Sequence, residues 1–181
     1  MIRNFFIFFL LYSSINAYSQ SLYRGNGTVS FISEAPLETI KAKSKELVGI
    51  VDASNMNFAF SIDMISFQGF NSPLQKEHFN EHYLDTKDYP KATFVGSIIT
   101  NENCDNGCDT DAICKGKFTI HGVTKIVTIP VHLNIDQDAL KISGEFFVKL
   151  SDYNIKVPRI VQAKIATEIK VTVESVMQLN K

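Results

Sequence analysis

The chain reads as an all-β protein, an eight-stranded antiparallel barrel with a short helical insert between strands 3 and 4. Three observations predict it. Apolar and polar residues alternate with period two in eight segments separated by turn residues. Tight connections such as Asp136-Gln137-Asp138 and His121-Gly122-Val123 join neighbouring segments. One polar, helix-patterned stretch, 71–94, breaks the strand register. Eight antiparallel strands joined mostly by short turns close more readily than they stay open, because closure removes exposed edges.

The first element is a leader. Arg3 supplies positive charge, residues 5–12 form a short apolar run, and small residues follow. Ala17 and Ser19 occupy the positions that place cleavage before Gln20, with cleavage after Ala17 as the alternative. Residues 1–19 are therefore expected to be a signal peptide and 20–181 one barrel domain, periplasmic or secreted. The apolar run is too short to span a bilayer, and no later segment approaches the roughly 20 apolar residues a membrane helix needs. Loss of Arg3 leaves 17 basic against 19 acidic residues, a net charge of −2. That argues against nucleic acid, whose phosphates require a basic surface. The aromatic residues are mostly Phe, with no Trp, which suits an apolar payload better than a sugar.

The strand segments are 27–33, 45–52, 56–67, 92–100, 114–121, 125–136, 139–150 and 164–177. Phe58, Phe60, Ile62 and Met64 share one face, as do Val127, Ile129, Val131, Leu133 and Ile135. In the last segment Ile165, Ile169, Val171 and Val173 oppose Lys164, Glu168, Lys170 and Glu174, so one face is wet. Gly49, Gly96, Gly116 and Gly144 fall on the inward faces. Missing side chains along an apolar lining leave a channel, and strand glycines equally serve bends as a sheet curls shut. Both readings stand at this point.

The insert carries His78-Phe79-Asn80-Glu81-His82, the H-x-x-E-H order of inverted zinc peptidases. On a helix over about 73–84, His78 and His82 share a face with Glu81 nearby. No third-ligand helix follows, and a small barrel lacks the helical scaffold of such enzymes. Phe79 and Tyr83, with Leu74 or Gln75, make an apolar face able to lie over a barrel mouth. The plain reading is a solvated helix docked by that face.

Cys104, Cys108 and Cys114 sit in a loop rich in Asn, Asp and Gly. Their spacing fits neither a zinc site nor a hard-ion loop, whatever Asp105, Asp109 and Asp111 contribute. In an oxidising compartment one disulfide is expected, Cys104–Cys114 across the hairpin, with pairings of Cys108 as alternatives. His121 and His132 are isolated on strands. No catalytic set, phosphate loop or cofactor motif is present.

The insert, with Phe79 and Tyr83 one turn apart, then Tyr89-Pro90 and Phe94, resembles the YceI-like, polyisoprenoid-binding family. Ile120-His121-Gly122-Val123-Thr124-Lys125, Leu150-Ser151-Asp152-Tyr153 and Val157-Pro158 resemble it in the same order. The likeness runs from about Leu37 to the end. The stretch 23–33 lacks the Trp and His often found in that family's first strand, and the cysteine loop is not a family hallmark. The resemblance implies an extended, lipocalin-like barrel that holds a long isoprenoid chain, polyprenyl or quinone-like, with no enzymatic activity and no cofactor or metal. Its lining is expected at Phe58, Phe60, Ile62, Phe94, Phe118, Ile129, Val131, Phe146 and Val148. Two other functions remain: a packed barrel that binds a protein partner, and a zinc hydrolase using His78, Glu81 and His82.

Overall fold

Every strand segment becomes a strand in the computed structural model, which describes residues 21–102, 104 and 107–180. The expected leader and its cleavage before Gln20 lie outside the described residues. The strands are β1 (Leu22–Glu34), β2 (Thr39–Asp52), β3 (Asn57–Asp63), β4 (Lys91–Ile99), β5 (Cys108–Ile120), β6 (Val123–Asp136), β7 (Ala139–Lys149) and β8 (Glu168–Asn180). Each pairs antiparallel with its sequence neighbours, and β1 pairs with β8 from Leu22 opposite Asn180 to Ile32 opposite Lys170. The strand order closes into a barrel, the β2–β3 and β6–β7 ladders being the short ones.

Three strands begin well before the alternation suggests, β5 among them at Cys108 rather than Cys114. In β1 the early inward positions are Gly25 and Gly27, which carry no side chain to reveal a period. In β2 the register against β1 shifts between Gly27 opposite Leu47 and Val29 opposite Ser44. That bulge inserts an extra residue, so Ser44 and Leu47 both point inward and the parity of the strand reverses. At the other extreme, β3 stops at Asp63 because a 3₁₀ turn, Met64–Ser66, follows, and Ser66 Oγ donates to the Asp63 carbonyl. The last strand starts at Glu168 rather than Lys164, since Lys164 and Ile165 both donate to the Val161 carbonyl in a turn.

The β5–β6 hairpin turns on His121 and Gly122, both with positive φ, +51° and +71°. Two such residues in succession are the signature of a type I′ turn, whose twist matches the flanking strands. Between β3 and β4 lies α1 (Pro73–His78), started by Ser72, whose Oγ accepts from Gln75 N–H at 3.2 Å, and by Pro73 in the first turn. A π-helical turn, Phe79–Tyr83, extends it, so the helical insert spans the stretch expected from the sequence.

Inward side chains form two clusters stacked along the barrel axis. One end is packed solid by Tyr23, Val51, Phe58, Ile98, Leu133, Leu140 and Met177. The other holds Val29, Ala42, Ile62, Phe67, Val148, Tyr153 and Ile155 around open space, beneath the insert. The barrel is therefore filled at the β2–β3 and β6–β7 end and hollow at the β1–β2 and β7–β8 end.

Candidate functional site

The hollow end encloses about 500 Å³, a volume in the range of small-molecule pockets. Its wall runs from Cys114, Ile129 and Ile142 at mid-barrel, past Phe60, Phe94, Phe118 and Phe146, to Glu38, Gln75, His78 and Lys164 at the mouth. Alternation on each strand aims these apolar side chains inward. Phenylalanines form a chain of edge-on contacts down one side: Phe94 with Phe118 at 6.2 Å and Phe118 with Phe146 at 5.9 Å. Hydroxyls on the wall are few, among them Ser33 near the mouth and Ser175 at mid-barrel. Ser33 Oγ accepts from Ala166 N–H at 2.9 Å, and Ser175 Oγ donates to the Asn26 carbonyl at 3.0 Å. A satisfied hydroxyl adds little polarity to the wall.

The insert forms a flap over this space. Phe31, Phe67, Phe70 and Phe79 cluster beneath it, with Phe70 and Phe79 centroids 5.0 Å apart. Leu74, Gln75, Phe79 and Tyr83 all face the cavity, which is the docking face read from the sequence. Glu38 latches the flap at its rim, accepting from Gln75 Nε2 at 2.9 Å and from Asn71 Nδ2 at 3.2 Å. Burial pushes the Tyr83 hydroxyl above the ordinary tyrosine range.

Eight of the nine residues expected to line a channel do border the cavity: Phe60, Ile62, Phe94, Phe118, Ile129, Val131, Phe146 and Val148. Phe58 does not. It is only 3% exposed in the solid end, where its ring packs 4.7 Å from that of Phe94. Of the four inward glycines, only Gly144 borders the cavity. Gly96 and Gly116 face each other across β4 and β5, and a Cβ at Gly96 would sit 2.1 Å from the Lys115 carbonyl oxygen. These two permit close backbone approach as the sheet coils, and the ring of Phe60 covers Gly49. The channel reading of the glycines is corrected on three of four counts.

The disulfide is also corrected. Cys104 pairs with Cys108, their Cα atoms 5.0 Å apart, and Cys114 is a free thiol. The expected Cys104–Cys114 bond fails because β5 begins at Cys108, so Cys114 lies within the strand opposite Ile98 and Ile129. There it points inward, 3% exposed, and burial pushes its thiol up to about 12.

On the flap the rings of His78 and His82 stand 5.2 Å apart. Among the described residues no group of three His, Cys, Asp or Glu side chains is placed to hold a metal ion. On the outer wall, His132 Nε2 meets Asp109 at 2.6 Å and Nδ1 meets Asp111 at 3.0 Å, which raises its pKa through bonds to Asp111 and then Asp109.

Several other motif residues converge on one joint, while Ile120 and Leu150 of the same motifs border the cavity. His121 Nδ1 donates to the Tyr153 carbonyl at 2.9 Å, and the Tyr89 ring stands edge-on to His121 at 5.0 Å. Gly122 lies directly under Tyr89, where a Cβ would come within 2.4 Å of the ring. Lys125 bridges to Asp152 at 3.5 Å and lies over the Tyr153 ring. The joint ties the end of the insert, the β5–β6 turn and the exit of β7, so these motif residues hold the flap's base rather than a ligand. The sequence left unmarked Phe31, Phe67 and Phe70 under the flap. Phe31 shared the inward parity of β1, and that was the one signal available.

A closed up-and-down barrel, solid at one end and hollow under a flap at the other, defines the class of ligand-holding small β-barrels. The YceI-like domain pattern matches residues 18–177, and the chain belongs to the YceI-like family. Solved structures of similar fold include Burkholderia cenocepacia BcnA, with 22% identity, a TM-score of 0.69, and coverage of 83% of this chain and 95% of that one. A polyisoprenoid binding domain from Saccharophagus degradans, implicated in plant cell wall breakdown, gives 12% identity and a TM-score of 0.75 over 90% of this chain and 100% of that one. The Campylobacter jejuni YCEI protein gives 18% and 0.57 over 77% and 84%. At such identities the likenesses concern the fold. No curated protein matches the sequence.

Proposed function

We propose that the protein is an exported carrier that holds a long apolar isoprenoid-type lipid, polyprenyl or quinone-like, in the cavity. The observation that carries this reading is the distribution of polarity. Walls of Phe, Ile, Val and Leu extend from mid-barrel to the flap, and charged groups, Glu38 and Lys164, occur at the mouth. Such a site takes a tail first and leaves a polar head at the rim. Each methylene buried is worth about 0.8 kcal/mol, so a tail binds tightly without a specific polar contact. The polyisoprenoid-binding description of the Saccharophagus domain supports the same ligand class.

The barrel binds rather than catalyses in this reading. Its deep wall offers the Ser175 hydroxyl, which donates to a backbone carbonyl, and a thiol held protonated by burial. Export rests on the leader pattern around Arg3, Ala17 and Ser19. Organic extraction of protein purified from a membrane-containing source, followed by mass spectrometry, tests the carrier reading. An isoprenoid lipid near one per chain is expected. A protein that yields none, and takes up none from detergent micelles, is instead a barrel that binds a protein partner. N-terminal analysis of the exported form should begin at Gln20, and a chain starting at Met1 would refute export.

A further inference from the structure

The cavity mouth is ringed by the β1–β2 loop, the flap, and the segment 154–167 between β7 and β8. Leu37 N–H donates to the Ala163 carbonyl at 2.8 Å, tying the first loop to the third. At this end several apolar side chains are exposed. Ile160 sits at the crest of a 3₁₀ turn, Arg159–Val161, with 91% of its surface exposed. Leu37 is 72% exposed, Leu74 57%, and Phe147, on the adjoining shoulder of β7, 65%. Val161 and Leu74 also border the cavity, so the exposed apolar rim is continuous with its lining.

Charge is sorted as well. The segment 154–167 carries Lys156, Arg159 and Lys164 and no carboxylate, whereas Glu38 stands on the β1–β2 loop and Glu77 and Glu81 on the flap. Apolar crests flanked by basic side chains are the surface that settles into the headgroup region of an anionic bilayer. An isoprenoid tail cannot cross water cheaply, and a mouth resting on its source removes that crossing.

From these observations we infer that the mouth docks on anionic lipid bilayers, with Ile160 and Leu37 inserted among the headgroups and Lys156, Arg159 and Lys164 against their phosphates. The inference rests on the carrier reading. It is tested by flotation of the full chain with vesicles of phosphatidylcholine alone or mixed with phosphatidylglycerol, at low and high salt. Binding should require phosphatidylglycerol and weaken with salt, each basic side chain contributing roughly five-fold in affinity. Ile160→Asp should weaken binding roughly ten-fold or more and leave the melting temperature unchanged, since the side chain is already exposed. Leu37→Asp should act in the same direction. A parent that fails to float with either vesicle, or floats equally with both, overturns the inference. So does an Ile160→Asp variant that floats like the parent, or that converts a parent dimer to monomer without changing vesicle binding. Loading from detergent micelles separates the two readings: if the parent loads and does not dock, docking alone fails, and if it docks and never loads, the carrier reading fails.

Discussion

Phe31 of β1 and Phe79 of the flap lie face to face, their ring centroids 5.5 Å apart and their planes 15° from parallel. Strand and flap are thus joined through the roof of the cavity. Phe67 and Phe70 pack on the same pair. Phe79→Ala should cost about 1–3 kcal/mol, less than a fully buried Phe because Phe79 is half-buried. Its larger effect should be faster release of bound lipid, measured by transfer to acceptor micelles. An unchanged release rate would show that the flap does not gate the cavity.

Val173 borders the cavity and is only partly buried, so added atoms there enter empty space. Val173→Phe should reduce lipid uptake severely and change stability by less than about 1 kcal/mol. Gly96→Leu should do the reverse, losing stability through its collision with the β5 backbone. Calorimetry and extraction together separate the two outcomes. Equal destabilisation by both would mean that the space around Val173 is not usable.

The free thiol gives a third prediction. Native protein should resist alkylation at Cys114, whose thiol is buried and held protonated up to about pH 12, and one thiol per chain should react after unfolding without reductant. Peptide mapping should find Cys104 joined to Cys108. Recovery of a Cys114 disulfide would contradict the inward placement of that residue.

His132 should titrate above its ordinary value of 6.5, because both ring nitrogens donate to carboxylates. A raised pKa means that the stabilisation from these pairs is complete below 6.5 and is lost as pH rises through the folded value. Both partners are exposed, so the effect on stability should be small. A proton NMR titration checks the midpoint, and Asp111→Asn and Asp109→Asn should each lower it. Equal midpoints in the parent and both variants would refute the pairing.

Strand pattern was legible in the sequence wherever inward positions carry apolar side chains, as along β6 and β7. It failed where that condition lapses: at Gly25 and Gly27, whose inward face is bare, and at Lys45-Glu46, where a bulge reverses parity. The lining was nearly all readable because parity alone selects it. Phe58 was misplaced because parity states which way a side chain points and not how far along the axis it lies. The same limit hid the difference between Gly144 and Gly96, which share an inward face and differ in what stands opposite. The disulfide depended on where β5 begins, a boundary that the polar residues after Cys108 obscured.

One end of the barrel is plugged by Tyr23, Val51, Leu133, Leu140 and Met177, so what enters must leave by the same opening. Such a container cannot serve a donor and an acceptor at once. Cargo would have to be collected from one surface, borne away, and surrendered at another in separate encounters. Transfer between two vesicle populations would then follow double-displacement kinetics, with each surface competing against the other for the empty and the loaded form.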